Sequence, residues 1–290
     1  MPFDPVSAVE HAEPLDRVVE PIRNAVGKLL GPAPVRDVLH GVWLGHPLHP
    51  TLVQVSLGAF MSASALDLTP GSERASRALI ATGFAAALPS AVTGLADWSV
   101  AHEEQQRVGL VHAAFNVAAL ASYGLSLAAR LAGRRRTGTA LGLAGLGLLG
   151  AGGYLGGHLS FRQAVGANHA EDVPHLVRPG WQDLCAVDDL PADGTPARRI
   201  LGAPNDDVPV VVVGQAGRFH ALSGRCSHLS GPLSDGEVTD GGRCLTCPWH
   251  GSAFDLEDGS VRRGPATAPV SAFEVRVENG RVLVRLPGAH

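Results

Sequence analysis

The chain has 290 residues, 45% apolar composition and a formal net charge of −4, with a mean hydropathy of +0.13. That length predicts about two domains, and the acidic balance excludes a chain built to grip a nucleic-acid backbone. Four cysteines in the whole chain exclude a disulfide scaffold.

The start, Met1-Pro2-Phe3-Asp4-Pro5, is acidic and broken by proline, so no cleavable signal peptide is expected. Residues 1–44 read as an amphipathic segment. Leu15, Val18, Val19, Ile22, Val26, Leu29 and Leu30 recur at helical spacing with charges between them. Pro21 is expected to break this helix or to open its second part. The segment has two candidate resting places, a membrane surface or the C-terminal domain, and the sequence does not choose.

Residues 45–162 read as a four-helix transmembrane domain. Crossing a bilayer takes roughly 20 apolar residues, and four runs qualify. The first lies between Asp37 and Asp67, with its apolar part from Thr51 to Ala65. The others run from Ala78 to Ala96, from Val108 to Ala129 and from Thr137 to Phe161. All are rich in Ala, Gly and Leu, and small residues suit close helix packing in lipid. The connections differ in charge. The first holds Arg74 and Arg77, the third Arg130, Arg134, Arg135 and Arg136, and the second Asp97, Glu103 and Glu104 against Arg107. The positive-inside rule makes the arginine loops cytoplasmic and puts both termini outside. Arg134-Arg135-Arg136 also reads as a degenerate internal twin-arginine signal, with Thr137-Gly138-Thr139 where apolar residues belong.

His46, His49, His112 and His158 fall on the side of the membrane opposite the arginine loops, with His102 beside them. Three roles stay open for them: interfacial packing and helix capping, a haem or metal site, or a quinone site in which Asp97 helps to handle protons. Asp67 and Asp97 read as helix-end caps or bundle contacts.

Residues 163–180 read as a linker without clear period, and residues 181–290 as β structure. Val208 to Val213 is a short apolar run. Phe273, Val275 and Val277 alternate with polar residues, Asn279-Gly280 turns, and Val282, Val284 and Leu286 alternate again, which signals a hairpin.

Two clusters carry chemistry: Cys226-Ser227-His228 and Cys247-Pro248-Trp249-His250. Two thiolates and two imidazoles from two loops suit a [2Fe–2S] cluster, the thiolates on one iron and the imidazoles on the other. Gly231-Pro232 and Gly251 follow the two clusters and allow close backbone approach. A rival chemistry is zinc, using the Cys244-Leu245-Thr246-Cys247 pair with Cys226 and a histidine. Cys185 reads as a small buried apolar residue.

With Cys226-Ser227-His228-Leu229, Cys247-Pro248-Trp249-His250-Gly251-Ser252, Phe254-Asp255, Asp258-Gly259 and Gly264-Pro265, the chain from Trp181 to Leu286 resembles the Rieske family. The resemblance implies Cys226 and Cys247 on one iron, His228 and His250 on the other, and a β-sandwich-like domain carrying a small cluster-binding subdomain. High-potential members carry an inter-loop disulfide, whose cysteines would fall at Gly231 and Trp249, and a tyrosine where Phe254 stands. Both are missing, while Ser252 is kept. The implied potential therefore lies toward the lower end of about −150 to +300 mV. The stretch around Gly45-His46-Pro47-Leu48-His49-Pro50, with Asp67 and Asp97, resembles a family of four-helix bacterial membrane proteins of unestablished function.

The whole reads as a multi-domain protein, an α-helical four-span membrane bundle followed by an all-β Rieske-type domain. The expected role is to carry single electrons to or from a redox protein or a quinone, as an electron-transfer component and not a self-contained catalyst. Membrane lipid is an expected partner and nucleic acid is not. The alternatives are a redox sensor, or a subunit of a larger oxidoreductase or oxygenase system. A self-contained Rieske oxygenase needs a mononuclear iron on two His and a carboxylate, and no convincing triad is present.

Overall fold

The computed structural model describes residues 5–191, 193–203, 206–215 and 217–287; the first four residues of the acidic start lie outside these. The chain forms two compact units. One comprises residues 1–31 and 47–165, the other residues 32–46 and 166–290.

The first unit is helical. Helices α4 (Leu48–Leu66), α5 (Glu73–Ser99), α6 (Glu103–Leu131) and α7 (Arg135–Gly157) follow one another through short connections, and α7 ends in a wider turn, His158–Arg162. Three helices among the described residues, Glu73–Ser99, Glu103–Leu131 and Arg135–Arg162, are long and apolar enough to cross a membrane, where four were expected. The expected first span is a helix of 19 residues. Its first two turns hold His49, Pro50, Thr51 and Gln54, which leave too few apolar residues.

Small residues let these helices meet. Phe60 on α4 lies against Gly83 on α5, and Tyr123 on α6 lies against Gly145 on α7. An added Cβ would come within 2.7 Å of the Phe60 ring or 2.9 Å of the Tyr123 ring. The two rings stack on each other, with centroids 4.2 Å apart and planes at 20°. Lipid offers no hydrophobic drive between helices, so such contact supplies the cohesion.

Arg130 corrects the loop-charge reading. It lies in the last turn of α6, is buried, and holds Asp67 with both terminal nitrogens (Nη1–Oδ1 2.6 Å). That leaves Arg134 in the third connection, with Arg135 and Arg136 in the first turn of α7. Asp67 is at once the C-cap of α4 and a bundle contact, and it also accepts from the Ser76 hydroxyl at 2.8 Å.

The N-terminal segment starts with α1 (Pro5–Glu10) and α2 (Asp16–Leu29), which belong to the helical unit. Helix α2 continues past Pro21, neither broken nor opened by it. Its first turn is anchored from outside, because Arg107 on α6 grips Asp16 at 2.7 and 2.6 Å and so offsets the lost backbone bond. Glu10 of α1 accepts from His158 Nε2 at 2.7 Å, and Val6 packs with Val108 and Leu155.

The second unit is β-rich. A six-stranded sheet has the order β1 (Gln182–Ala186), β10 (Arg281–Arg285), β9 (Ala272–Glu278), β4 (Arg218–Ser223), β3 (Asp206–Gln215) and β2 (Ala197–Ala203). A four-stranded sheet has the order β5 (Glu237–Thr239), β6 (Cys244–Thr246), β7 (Ala253–Asp255) and β8 (Val261–Arg263). Strand β3 reads as a near-continuous apolar run because both its faces are buried. Val208, Val210 and Val212 enter one core while Val211 and Val213 enter the other. The expected hairpin is β9–β10. Glu278 pairs with Arg281, and Asn279 and Gly280 both hold positive φ, +49° and +73°.

Two further segments join this unit. The short helix α8 (Val173–Leu176) puts Ala170, Val173 and Val177 into the first core, from within the expected linker 163–180. Helix α3 (Ala33–His40) starts behind Pro32 and stops at Gly41, whose φ of +82° is the left-handed cap that glycine favours. Asp37 of α3 accepts the Gly264 N–H at 2.9 Å, and an added Cβ at Gly264 would lie 2.9 Å from Val42.

Removing one member of the buried pair, as in Asp67→Ala or Arg130→Ala, strands the other charge and is expected to cost about 3–5 kcal/mol. The double variant Asp67→Leu/Arg130→Met is expected to recover most of it. Thermal unfolding of the detergent-solubilised chain measures both; equal losses in single and double variants would contradict the pairing argument.

Candidate functional site

Two loops leave the β-rich unit toward each other. The first follows β4 and the second joins β6 to β7. Each is closed by its own backbone. In the first, Cys226 N donates to Gly231 O at 2.9 Å and Ser230 N to Cys226 O at 3.0 Å. In the second, Cys247 N donates to Ser252 O at 2.8 Å and Gly251 N to Cys247 O at 3.1 Å. The turns need left-handed backbone, supplied by Ser230 (φ +61°) and Gly251 (φ +76°).

The loop tips meet through sulfur. Cys226 and Cys247 are buried, and their side chains are hydrogen-bonded to each other. The His228 and Leu229 amides donate to the Cys226 sulfur, as the Trp249 and His250 amides do to that of Cys247. The hydrogen bond from Cys226, joined by its own two amides, holds the Cys247 thiol down at about 6. The same contact, with burial, pushes Cys226 up. On the outer side the His228 and His250 rings stand 5.0 Å apart, at 83°. Both are half-buried, so the imidazole pair lies nearer solvent than the thiol pair.

A third loop laces the first two. The Ser227 hydroxyl donates to Ala268 O at 2.6 Å, and Ala266 N donates to Ser252 Oγ at 2.9 Å. The Ser252 oxygen is thus an acceptor here. Phe254 is fully buried and brings no hydroxyl. All four cysteines are free. At the position of the missing disulfide, Trp249 lies over Gly231, where an added Cβ would be 3.3 Å from the indole and 2.8 Å from Cys247 Sγ.

This donor set fits a two-iron cluster better than one metal ion. The thiols pair on one side and the imidazoles on the other. Among the described residues no three His, Cys, Asp or Glu converge as single-ion ligands. The zinc reading also needed Cys244, whose side chain is hydrogen-bonded to Asp240 instead. A [2Fe–2S] cluster takes two thiolates on one iron and two imidazoles on the other, which is the pairing these loops present. The two amides on each sulfur agree with this, since amides aimed at sulfur favour its anionic form.

The histidines of the helical half are not one cluster. His46 belongs to the second unit. His158 is engaged by Glu10. His49 and His112 are set alike: His49 Nδ1 donates to Ser90 O and His112 Nδ1 to Gly152 O, each at 2.7 Å. Sequence reasoning missed Asp37 and the third-loop contacts; Gly41, a helix-stop glycine, was the one local signal for α3.

A β-domain whose paired loops present two thiols and two imidazoles defines a Rieske-type electron-transfer protein with a [2Fe–2S] cofactor. Residues 180–274 match the Rieske [2Fe-2S] domain model, and residues 45–169 match that of a predicted membrane protein family, DUF2231. The chain is 33% identical over 106 residues to the anthranilate 1,2-dioxygenase ferredoxin subunit of Burkholderia cepacia, covering 37% of this chain and 92% of that one. It is 36% identical over 103 residues to the 3-phenylpropionate/cinnamic acid dioxygenase ferredoxin subunit of Shigella flexneri, covering 31% and 96%. A solved complex of reduced oxygenase and oxidized ferredoxin in carbazole 1,9a-dioxygenase aligns at 32% identity and TM-score 0.32, over 36% of this chain and 92% of that one. The chain belongs to the Rieske [2Fe–2S] family through its C-terminal domain, and its helical half is a predicted membrane domain.

Gly231→Ala places a methyl group against the Cys247 sulfur and the Trp249 ring. Overpacking of this kind costs about 1–3 kcal/mol. Lower iron content per chain is expected with an unchanged β-sheet circular-dichroism signal; full iron loading would refute the close approach.

Proposed function

We propose that this protein is a membrane-anchored, multi-pass carrier of single electrons, with Cys226 and Cys247 holding one iron of the cluster and His228 and His250 the other. The observation that carries the reading is the pairing at the loop tips, thiols in contact and imidazoles 5.0 Å apart. When bound, the cluster supplies a one-electron reduction step and no bond-making chemistry. The chain's own residues then have separate tasks. The amides of His228, Leu229, Trp249 and His250 stabilise charge on sulfur. Ser227, Ser252 and Ala266 hold the loops at fixed separation, which keeps reorganisation on electron transfer small. The half-buried imidazoles place the more accessible iron where a partner can approach.

The potential is assigned to the low part of the Rieske range. Phe254 supplies no hydroxyl, and Gly231 and Trp249 replace the disulfide, so fewer donors stabilise the reduced cluster. The ferredoxin subunits it resembles belong by name to dioxygenase systems, which supports a redox protein as partner; a quinone is the alternative carrier. Residues 45–162 are assigned as the membrane domain and 181–290 as the cluster domain, with the α8 stretch of 163–180 packed into the latter's core. The arginine connections are assigned to the cytoplasm and the cluster domain to the opposite side. Arg107 is shared between Asp16 and Glu103, which leaves the outer end acidic through Glu104.

The reduced, purified chain is expected to give a low-temperature EPR spectrum of low average g, as mixed His/Cys ligation does, with a midpoint in the lower part of the range. Cys226→Ser and His228→Ala should each abolish it. A signal surviving both would refute the ligand assignment, and a high midpoint the potential assignment. A topology reporter fused after Leu286 is expected to be active only outside the cytoplasm; activity inside would reverse the orientation.

A further inference from the structure

The two hairpins of the helical unit are copies of one arrangement. Phe60 and Tyr123 are 63 residues apart, and so are Asp67 and Arg130. Each pair touches across α4 and α6, so these helices run parallel in a constant register. His49 and His112 continue the series at the same spacing. Helices α5 and α7 follow with a register one residue shorter: Gly83 answers Gly145 beneath the two aromatic rings, and Ser90 answers Gly152 as acceptor for the two histidines. Gly94 answers Gly156, where an added Cβ would lie 2.7 Å from the His49 ring and 3.1 Å from the His112 ring. Repeats of this kind meet on a pseudo-two-fold axis, and sites in membrane bundles sit at the repeat interface. The stacked rings and the ion pair occupy that interface lower down, on the same faces of α4 and α6 as the two histidines.

We propose that His49 and His112 are the two axial ligands of one haem, held between the repeats of the membrane domain. The tautomer points to metal ligation. Each Nδ1 carries the proton and donates it to a helix carbonyl, which leaves the Nε2 lone pair for iron. A second hydrogen bond of this form is what orients metal-binding histidines. The ligand count selects haem over a bare ion. Zinc or another divalent ion asks for about four protein ligands, and no third His, Cys, Asp or Glu joins the pair among the described residues. Haem brings four nitrogens and its own negative charge, so two neutral imidazoles complete the iron. Glycines at 94 and 156 give the rings their seats, as close packing on a helix backbone requires. The Asn116 amide, 3.1 Å from His112 Nε2 and 2.8 Å from the His112 carbonyl oxygen, guards that lone pair and must turn aside on loading. The inference goes beyond the cluster chemistry and does not depend on it.

The test is a hemin titration of the full chain purified in detergent, followed by absorption spectroscopy after reduction. One hemin per chain and a sharp low-spin, six-coordinate spectrum are expected. His49→Ala and His112→Ala should each lose the six-coordinate form, and added imidazole should restore it, which a merely structural role would not allow. His46→Ala and His158→Ala should keep the wild-type spectrum. The cluster EPR signal of every variant reports folding separately, so a failed haem reading and a failed cluster reading are distinguishable. Absence of a low-spin spectrum in the wild-type chain overturns the proposal, whatever the variants do. So does an unchanged spectrum in the His49→Ala/His112→Ala double variant, or zinc bound by the pair in place of hemin.

Discussion

The contact between the Cys226 and Cys247 sulfurs is the constraint around which the β-rich half is organised. Two thiols side by side in a buried site are a poor arrangement for a protein alone, because the second proton comes off against the charge of the first. The surroundings are nevertheless built to hold that charge: four backbone amides aim at the two sulfurs. Everything around them serves the separation of the loop tips. Each loop is closed by its own hydrogen bonds, a third loop ties both, and the Trp249 ring over Gly231 takes the place a covalent staple fills in high-potential relatives.

The helical half is governed by a different economy. Its cohesion comes from aromatic and imidazole rings set directly on glycines, repeated in both hairpins, and from one ion pair sealed between α4 and α6. The cross-hairpin contacts change chemistry from one copy to the other. Phe60 faces Tyr123 and Asp67 faces Arg130, so positions at one spacing carry complementary partners.

How much of this was legible in the sequence follows from how local each signal is. The cluster loops were plain, because ligands at fixed short spacings with glycines after them leave little freedom. Asn279-Gly280 was equally plain, since a two-residue turn demands those residues. The β3 run was recognised as a strand, although only the structure divides its valines between two cores. Pairings across long separations were invisible. Arg130 counts as a loop charge until Asp67 is found beside it, and Pro21 reads as a break until Arg107 is seen to anchor the helix before it. The repeat was masked by a background of Ala, Gly and Leu and by residue types that differ between copies. Helix α4 was placed correctly as a helix, but its polar start was underweighted against its apolar end.

The hydrogen bond from Gly264 to Asp37 has a topological corollary. Helix α3 precedes all four long helices in the chain and the β-strands follow them, yet both belong to one folded unit. A folded unit occupies a single compartment. For a chain that passes through a bilayer between residues 46 and 166, the number of passages must then be even. Three helices have the apolarity to cross, and three is odd. An even number means two crossings or four, and a fourth would fall to α4, whose polar first turns stand against the hydropathy a crossing asks for.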